Sequence, residues 1–348
     1  MRSARMRPSS DSATLTDVAA LAGVSLATAS RVLNGSTRRV GQANRDRVLL
    51  AAQELDYRPD LSAQTMARGT APVLALLVSN IDDPYFSAIA AGVAESARAH
   101  GVTVTIAMTS RDSALELSSV RVLRGQRPRA ILLCGSRWAY DSHSEALLAE
   151  LRGYTAGGGR AVFISQSEGS LGSVHVDNVA GASGLGTTLA GLGYRRAAMI
   201  TGAENMRTAQ ERLDGLKAGL AVVGADVSLV VRDTFDRAGG YRCARRLVES
   251  GRLQEADVLC AANDVMAIGA MTALRESGIE PGRDIAVTGF DDIETAADVT
   301  PQLTTVRFPL ADLGRQAADL ALCPDNPTIG EIFVGGYVVL RASSPRTT

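Results

Sequence analysis

The chain has 348 residues, 46% hydrophobic and 21% charged, with a formal net charge of −1. That length excludes one small domain and asks for two or three folding units, and the composition is that of a globular protein. The near-zero net charge argues against a nucleic-acid partner only as an average. Residues 1–70 hold ten arginines, no lysine and six acids, so ten minus six gives +4 there and leaves −5 for the rest. A basic head on an acidic body is the electrostatic footprint of a DNA-binding module joined to another domain. No run approaches the roughly 18 apolar residues of a membrane span, and the N-terminus lacks the apolar stretch of a signal peptide. No membrane partner and a cytoplasmic location are therefore expected. Cys134, Cys243, Cys260 and Cys323 are scattered without a CxxC pair, and read as reduced core thiols.

In chain order, residues 1–13 are rich in Ser and Arg and are expected to be disordered. Next comes TLTDVAALAGVSLATASRVLNG, Thr14 to Gly35. Ala19, Ala20 and Leu21 close a short apolar-faced helix, Gly23 supplies a tight turn, and Ser25 is placed to cap a second helix ending at Leu33. Two short helices joined through a Gly-containing turn make a helix-turn-helix unit. In the second helix Leu26, Ala27, Thr28, Ser30 and Arg31 are small or reach outward, as entry into a major groove about 12 Å wide requires. Thr14, Thr16, Ser25 and Ser30 can donate to phosphates, and Arg31 is the candidate for reading guanine O6 and N7. Asn34 completes the DNA-facing set. A third helix is expected over Gln42–Leu55, with Val48, Leu49, Ala52 and Leu55 on one face. Pro59 stops it, and Asp60 can cap a further short helix, Leu61–Arg68, ended by Gly69.

From Val73 the rhythm changes to apolar runs separated by amphipathic helices: 73–80, 102–108, 130–135, 161–165, 173–177, 197–202, 226–233, 257–263 and 285–292. Such runs predict parallel sheets covered on both faces, too many strands for one sheet, hence two α/β lobes. The runs end in polar or glycine clusters, Ser79-Asn80, Ser165-Gln166, Asp177-Asn178, Asn263-Asp264 and Gly289–Asp292. Ligands of such folds sit beyond the carboxyl ends of strands, so these clusters point to one polar cleft. Arg212 offers a planar five-donor fork, Asp291 and Asn263 offer acceptors and an amide, and Tyr85, Phe86 and Phe235 offer flat apolar faces. Asp264 is expected to serve the backbone or a helix cap rather than a ligand. The loop holding Arg137 and Trp138 is a further candidate. Catalysis finds no support: His100, His143 and His175 are isolated, with no metal-ligand spacing, no GxSxG and no P-loop. GASGLG (181–186) lacks dinucleotide-binding spacing, and its glycines are explained by lobe closure. No enzyme activity, cofactor or metal is expected.

With that order of parts, the chain resembles the lactose-repressor family of transcription regulators over residues 14–345. The head segment and ELDYRPD are close to the family's signature, and DPYF (83–86), HVDN (175–178), ERLDGL (211–216), ANDVMAIGAM (262–271), VTGFDD (287–292) and LTTVRFP (303–309) look like its recurring body blocks. The fold implied is an all-α helix-turn-helix head with a hinge helix, followed by an α/β two-lobed periplasmic-binding-protein-like body of parallel sheets. The domains expected are a tail (1–13), a DNA-binding domain (14–59), a hinge and linker (60–71) and an effector-binding and dimerisation domain (72–345). Its N-lobe would span about 72–175 and 307–334, and its C-lobe about 176–303 and 335–345. The resemblance makes Leu26 and Ala27 the principal base-reading positions, both apolar here and suited to thymine methyls. It implies that Leu61–Arg68 inserts in the minor groove on DNA, with Met66 where the family wedges a leucine and Ala63 allowing close approach. Asp60 departs from the usual Asn. It also implies that Phe86, Thr208, Arg212, Phe235, Asn263 and Asp291 contact an effector, with Ile164 and Ser165 facing the same pocket. The implied protein is a homodimeric repressor on a pseudo-palindromic operator, controlled by a small polar effector, a sugar first and a nucleobase second. A solute-binding protein with the same body fold is the rival, against which the head and the missing signal peptide count.

Overall fold

A computed structural model of the chain describes residues 13–33, 40–58, 69–323 and 330–346. Contacts divide the chain into two units, Met1–Ala71 and Pro72–Thr348. In the first, Thr14 starts α1 (Leu15–Ala22) with a capping box: its hydroxyl accepts from the Asp17 amide at 3.3 Å, and Asp17 accepts from the Thr14 amide at 2.9 Å. Gly23 ends the helix in the left-handed region at φ 60°, and the Val24 amide reaches back to the Ala19 carbonyl. Ser25 then caps α2 (Leu26–Leu33), accepting from the Thr28 amide at 3.2 Å. The two axes turn through 107°, as in helix-turn-helix units. With α3 (Gln42–Glu54) they enclose Val18, Ala29 and Val48, ringed by Ala19, Ala22, Ala51 and Ala52. The α3 face needs one correction: Leu49 is 47% exposed, and Ala51 lies in the core instead. Val48, Ala51, Ala52 and Leu55 keep the three- and four-residue spacing of one face, and Leu49 stands about 100° away from Val48 around the axis. Met66, Ala63, Asp60, Asn34 and the expected helix 61–68 lie outside the described residues.

The second unit begins with β1 (Val73–Val78), α4 (Pro84–Ala99), β2 (Thr103–Met108), α5 (Ser113–Gly125), β3 (Ala130–Cys134), α6 (Ser144–Ala156), β4 (Arg160–Ile164) and β5 (Gly172–Val176). It continues with α7 (Asn178–Leu192), β6 (Arg196–Thr201), α8 (Arg207–Ala221), β7 (Asp226–Arg232), α9 (Arg237–Glu249), β8 (Val258–Ala261), α10 (Asp264–Glu276) and β9 (Ala286–Thr288). It ends with β10 (Thr305–Arg307), α11 (Leu310–Leu322), β11 (Glu331–Val334) and β12 (Tyr337–Val339). One sheet has the order β11-β5-β4-β3-β1-β2 and a second the order β7-β6-β8-β9, every pair parallel; β10 and β12 form an antiparallel ribbon. The chain passes from the first sheet to the second after β5, returns with α11 and β11, and leaves again through β12.

Alternation along β1 divides the first sheet's core: Leu74, Leu76 and Val78 join one apolar cluster, Ala75 and Leu77 another. The edge strand β2 departs from the buried pattern, with Ile106 45% and Met108 53% exposed. GASGLG is not a loop but the middle of α7, where Gly186 meets Gly219 of α8; a Cβ on Gly219 would fall 2.1 Å from the Ser183 carbonyl oxygen. Lobe closure is therefore not what those glycines serve: they let two helices touch backbone to backbone. Helices α4 and α11 do the same through Gly92 and Gly314, where added Cβ atoms would lie 1.8 Å from the Ala311 oxygen and 2.1 Å from the Ile89 oxygen.

Gly92→Ala should therefore destabilise the protein by about 1–3 kcal/mol in urea unfolding, although alanine is the better helix former by about 1 kcal/mol. Gly191, in α7 with nothing within 4 Å of a built Cβ, is the control, and Gly191→Ala should stabilise by about 0.5–1 kcal/mol. Shifts of the same sign at both positions would contradict the close-approach account.

Candidate functional sites

The first candidate site is the exposed side of α2. Helical spacing puts Leu26, Ala27, Ser30 and Arg31 on one arc, opposite Ala29 and Val32, which face the small core. Leu26 is 50% exposed, Ala27 and Arg31 are exposed, and Thr28 and Ser30 are half-buried. An exposed leucine beside an alanine and an arginine makes a surface that can contact a methyl group and a base edge together. Thr16 is exposed in the first turn of α1. Two hydroxyls proposed as phosphate donors are already engaged: Thr14 donates to Asp17 Oδ2 at 2.7 Å, and Ser25 and Thr28 share a bond of 2.9 Å. Phosphate contacts from Thr14 would require that bond to open.

The second is a cleft in the Pro72–Thr348 unit, beyond the carboxyl ends of the parallel strands. Tyr85 and Phe86 reach it from the start of α4, Ile164 and Ser165 from the end of β4, and Asn178 from the start of α7. Across from them stand Thr208 and Arg212 on α8, Phe235 after β7, Asn263 after β8 and Asp291 after β9. Every effector candidate drawn from the sequence except Arg137 and Trp138 thus lines one space.

Arg212 organises it. The side chain is 3% exposed; Nε donates to Asn178 Oδ1 at 2.8 Å, Nη1 to the Ala262 carbonyl at 2.6 Å and to Asp291 Oδ2 at 3.4 Å, and Nη2 to Asp291 Oδ1 at 2.8 Å. The guanidinium also lies 4.0 Å from the centre of the Phe290 ring. Of five donor hydrogens, one on Nη2 remains for a ligand. The pair is a structural ion pair and part of the cleft wall at once. Burial pushes the Asp291 carboxyl up to about 6, even with Arg212 holding it down. Its backbone is left-handed, φ 108°, which for a non-glycine marks local strain at a site.

The network extends through Asn178 and Gln166, from the polar clusters at the strand ends, to Glu211, which the sequence did not single out. Asn178 Nδ2 donates to Glu211 Oε2 at 2.8 Å, and Gln166 Nε2 donates to the same oxygen at 2.7 Å and to Thr208 Oγ1 at 3.1 Å. The blocks HVDN and ERLDGL held the signal for Asn178 and Glu211. Asn263 caps α10, accepting from the Met266 amide at 2.9 Å, which leaves its Nδ2 amide as the group to offer the cleft. Asp264, fully buried, accepts from the Ile293 amide and the Thr305 hydroxyl, so its work is internal. Arg137 is committed to Glu116 by two bonds of 2.9 and 2.6 Å, and Trp138 lines a separate outer groove. Tyr85 and Phe86 meet edge to face with centroids 5.1 Å apart. Among the described residues no group of three His, Cys, Asp or Glu is placed to hold a metal ion, and no helix is long and apolar enough to cross a membrane by itself.

Residues 14–60 match the bacterial regulatory proteins, lacI family, and residues 187–344 match the periplasmic binding protein-like domain. The chain is 33% identical over 314 residues to the HTH-type transcriptional regulator GalS of Salmonella typhimurium, covering 89% of each. Among solved structures, the lac repressor dimer bound to operator and the anti-inducer ONPF superposes with a TM-score of 0.83 at 25% identity, covering 96% of this chain and 100% of that one. The transcriptional regulator CelR–cellobiose complex gives 0.69 at 29% identity, covering 95% and 100%. Signature, body and order of parts agree from end to end, and the chain belongs to the lacI family of bacterial regulatory proteins.

Proposed function

We propose that this regulator is a homodimeric repressor that reads a pseudo-palindromic operator with α2 and is controlled by a small polar effector, a sugar, held in the Arg212–Asp291 cleft. The observation that carries it is the cleft: a preorganised ion pair with one donor to spare, flanked by Phe86 and Phe235, at the strand ends. Fixed donors and acceptors around aromatic faces suit a hydroxylated ring. The relatives point the same way, since CelR is solved with cellobiose and the lac repressor with an operator. A symmetric dimer would place two α2 faces in half-sites about 34–36 Å apart. Exposed apolar residues on both sheet edges support self-association: Ile106 and Met108 on β2, Val230 on β7, and Val222 71% exposed just before it.

The units assigned to these tasks are 14–59 for DNA reading, 60–71 for the hinge and 72–345 for effector binding and dimerisation. Within the last, the lobes are about 72–175 with 307–334 and about 176–303 with 335–345. The effector shifts the lobe arrangement, and its leverage on DNA binding equals its differential affinity for the two arrangements. No turnover is assigned to the cleft, and acting on operator DNA places the protein in the cytoplasm. A sugar that raises the melting temperature and changes operator affinity supports the whole assignment; no preference for any double-stranded DNA over random sequence would overturn it.

Arg31→Ala should cost about 1–3 kcal/mol and relax specificity at one base pair per half-site. Equal weakening on all sequences would instead make Arg31 a phosphate contact.

The cleft adds a pH signature. The folded protein holds the Asp291 proton more tightly than the unfolded chain, with a carboxyl near 6 against 3.8. Asp291's contribution to stability is therefore greatest in acid and declines as pH rises through about 6. An effector hydroxyl donating to Asp291 favours the charged carboxylate, so effector affinity should fall as pH drops below 6, approaching about tenfold per unit. Calorimetric titration across that range tests it, and Asp291→Asn should flatten the profile. A flat profile in the unaltered protein would remove Asp291 from the ligand contacts.

A further inference from the structure

The cleft contains a second arginine, Arg111, that the effector reading does not use. It follows β2, lines the same space as Arg212, and stands in the left-handed region with its neighbour, φ 52° at Ser110 and 60° at Arg111. Its guanidinium carbon lies 6.0 Å from the Phe86 ring centre and 5.8 Å from that of Phe235. The side chain is 21% exposed, and its nearest carboxylate is Asp83, with Nη2 and Oδ2 3.8 Å apart, beyond hydrogen-bond length, while Asp236 acts on it from farther away. Asp83 is engaged elsewhere, its Oδ1 accepting from the Tyr85 amide at 3.1 Å.

The contrast with Arg212 decides the chemistry. Arg212 spends four donor hydrogens on protein acceptors and has a bidentate counter-charge. Arg111 is held between two phenylalanine rings with its donors free and its counter-charge at arm's length. Burial there disfavours its cation, and burial also pushes the Asp83 carboxyl upward, which softens the nearer of the two negative charges, Asp83 and Asp236, that would oppose an incoming anion. A planar fork with free donors in a mostly dry site is matched by a carboxylate, which it can bind with two parallel bonds. Neutral hydroxyls would occupy those donors without adding counter-charge to the distant carboxylates.

We infer that Arg111 is an anion anchor of the cleft and that the effector is an acidic sugar, one whose ring carries a carboxylate within reach of that guanidinium. The inference rests on the effector reading of the cleft and sharpens it.

The test is calorimetric titration of the full-length protein at neutral pH with glucose, galactose and mannose, each beside its uronic acid, and with glucose 6-phosphate. A uronate should bind about tenfold or more tightly than its parent hexose, as a charge-assisted contact provides. Arg111→Gln should erase that preference, and Arg111→Lys should keep part of it. A parent hexose binding as tightly as its uronate overturns the inference while leaving a sugar effector in place. Preference for the phosphate overturns the carboxylate assignment. Failure of every sugar overturns the inference and the sugar reading together. The acid-over-neutral comparison is made on the unaltered protein, so it holds even if a substitution impairs folding.

Discussion

The cleft depends on one buried ion pair. Arg212 and Asp291 are 3% and 6% exposed at their side chains, and two charges so placed lose hydration that their attraction alone does not return. What offsets the loss is the completeness of the bonding. Arg212 also satisfies the Ala262 carbonyl at the end of β8, orients Asn178 at the start of α7 and stacks on Phe290. Through Asn178 and Glu211 the same arrangement reaches Gln166, at the end of β4 in the other sheet. One guanidinium therefore ties together the walls of the cleft from both sides, holding Asn178 and Asp291 directly and Glu211 and Gln166 through Asn178.

Around that point the lobes are built to be stiff. Helix pairs α4–α11 and α7–α8 approach until only glycine fits between them, so neither pair can slide without backbone collision. Central strands such as β1 and β3 are buried on both faces, while the edges at β2 and β7 are not. Stiff lobes leave the crossings as the places where any change of lobe angle would be absorbed: after β5, between β10 and α11, and at Gly335-Gly336 between β11 and β12. Gln166, bonded across the cleft to Thr208 and Glu211, is the side chain such a change must strain or release.

Much of this was legible in the chain because its signals are local. Apolar runs announce buried parallel strands, Gly23 and Ser25 announce a turn and a cap, and polar clusters after the strands mark the cleft. What escaped is non-local or short. The strands β10, β11 and β12 have three or four residues, too few for a period to register. Leu49 was misplaced because its neighbours Val48 and Leu50 are also apolar, which blurs the phase of α3. Glu211 and Arg111 are unremarkable polar residues in sequence, and only the meeting of separate βα units brings them to the cleft. The α7 glycines carried a packing message that reads, in one dimension, like a flexible loop.

The two candidate sites invert the usual partition of residues in opposite senses. The head leaves Leu26 half exposed on α2, and the body buries Arg212 and Asp291 in a cleft. Both are unfavourable for the protein by itself: apolar surface stays wet in one, and charge stays dry in the other. Stability alone would select a polar residue at position 26 and an apolar cluster around position 212. Each departure would become favourable on meeting a complementary surface, apolar for Leu26 and hydrogen-bonding or charged for the cleft. Sites where local rules are broken without local benefit are where function is expected. Here the broken rules also name the chemistry of what must bind.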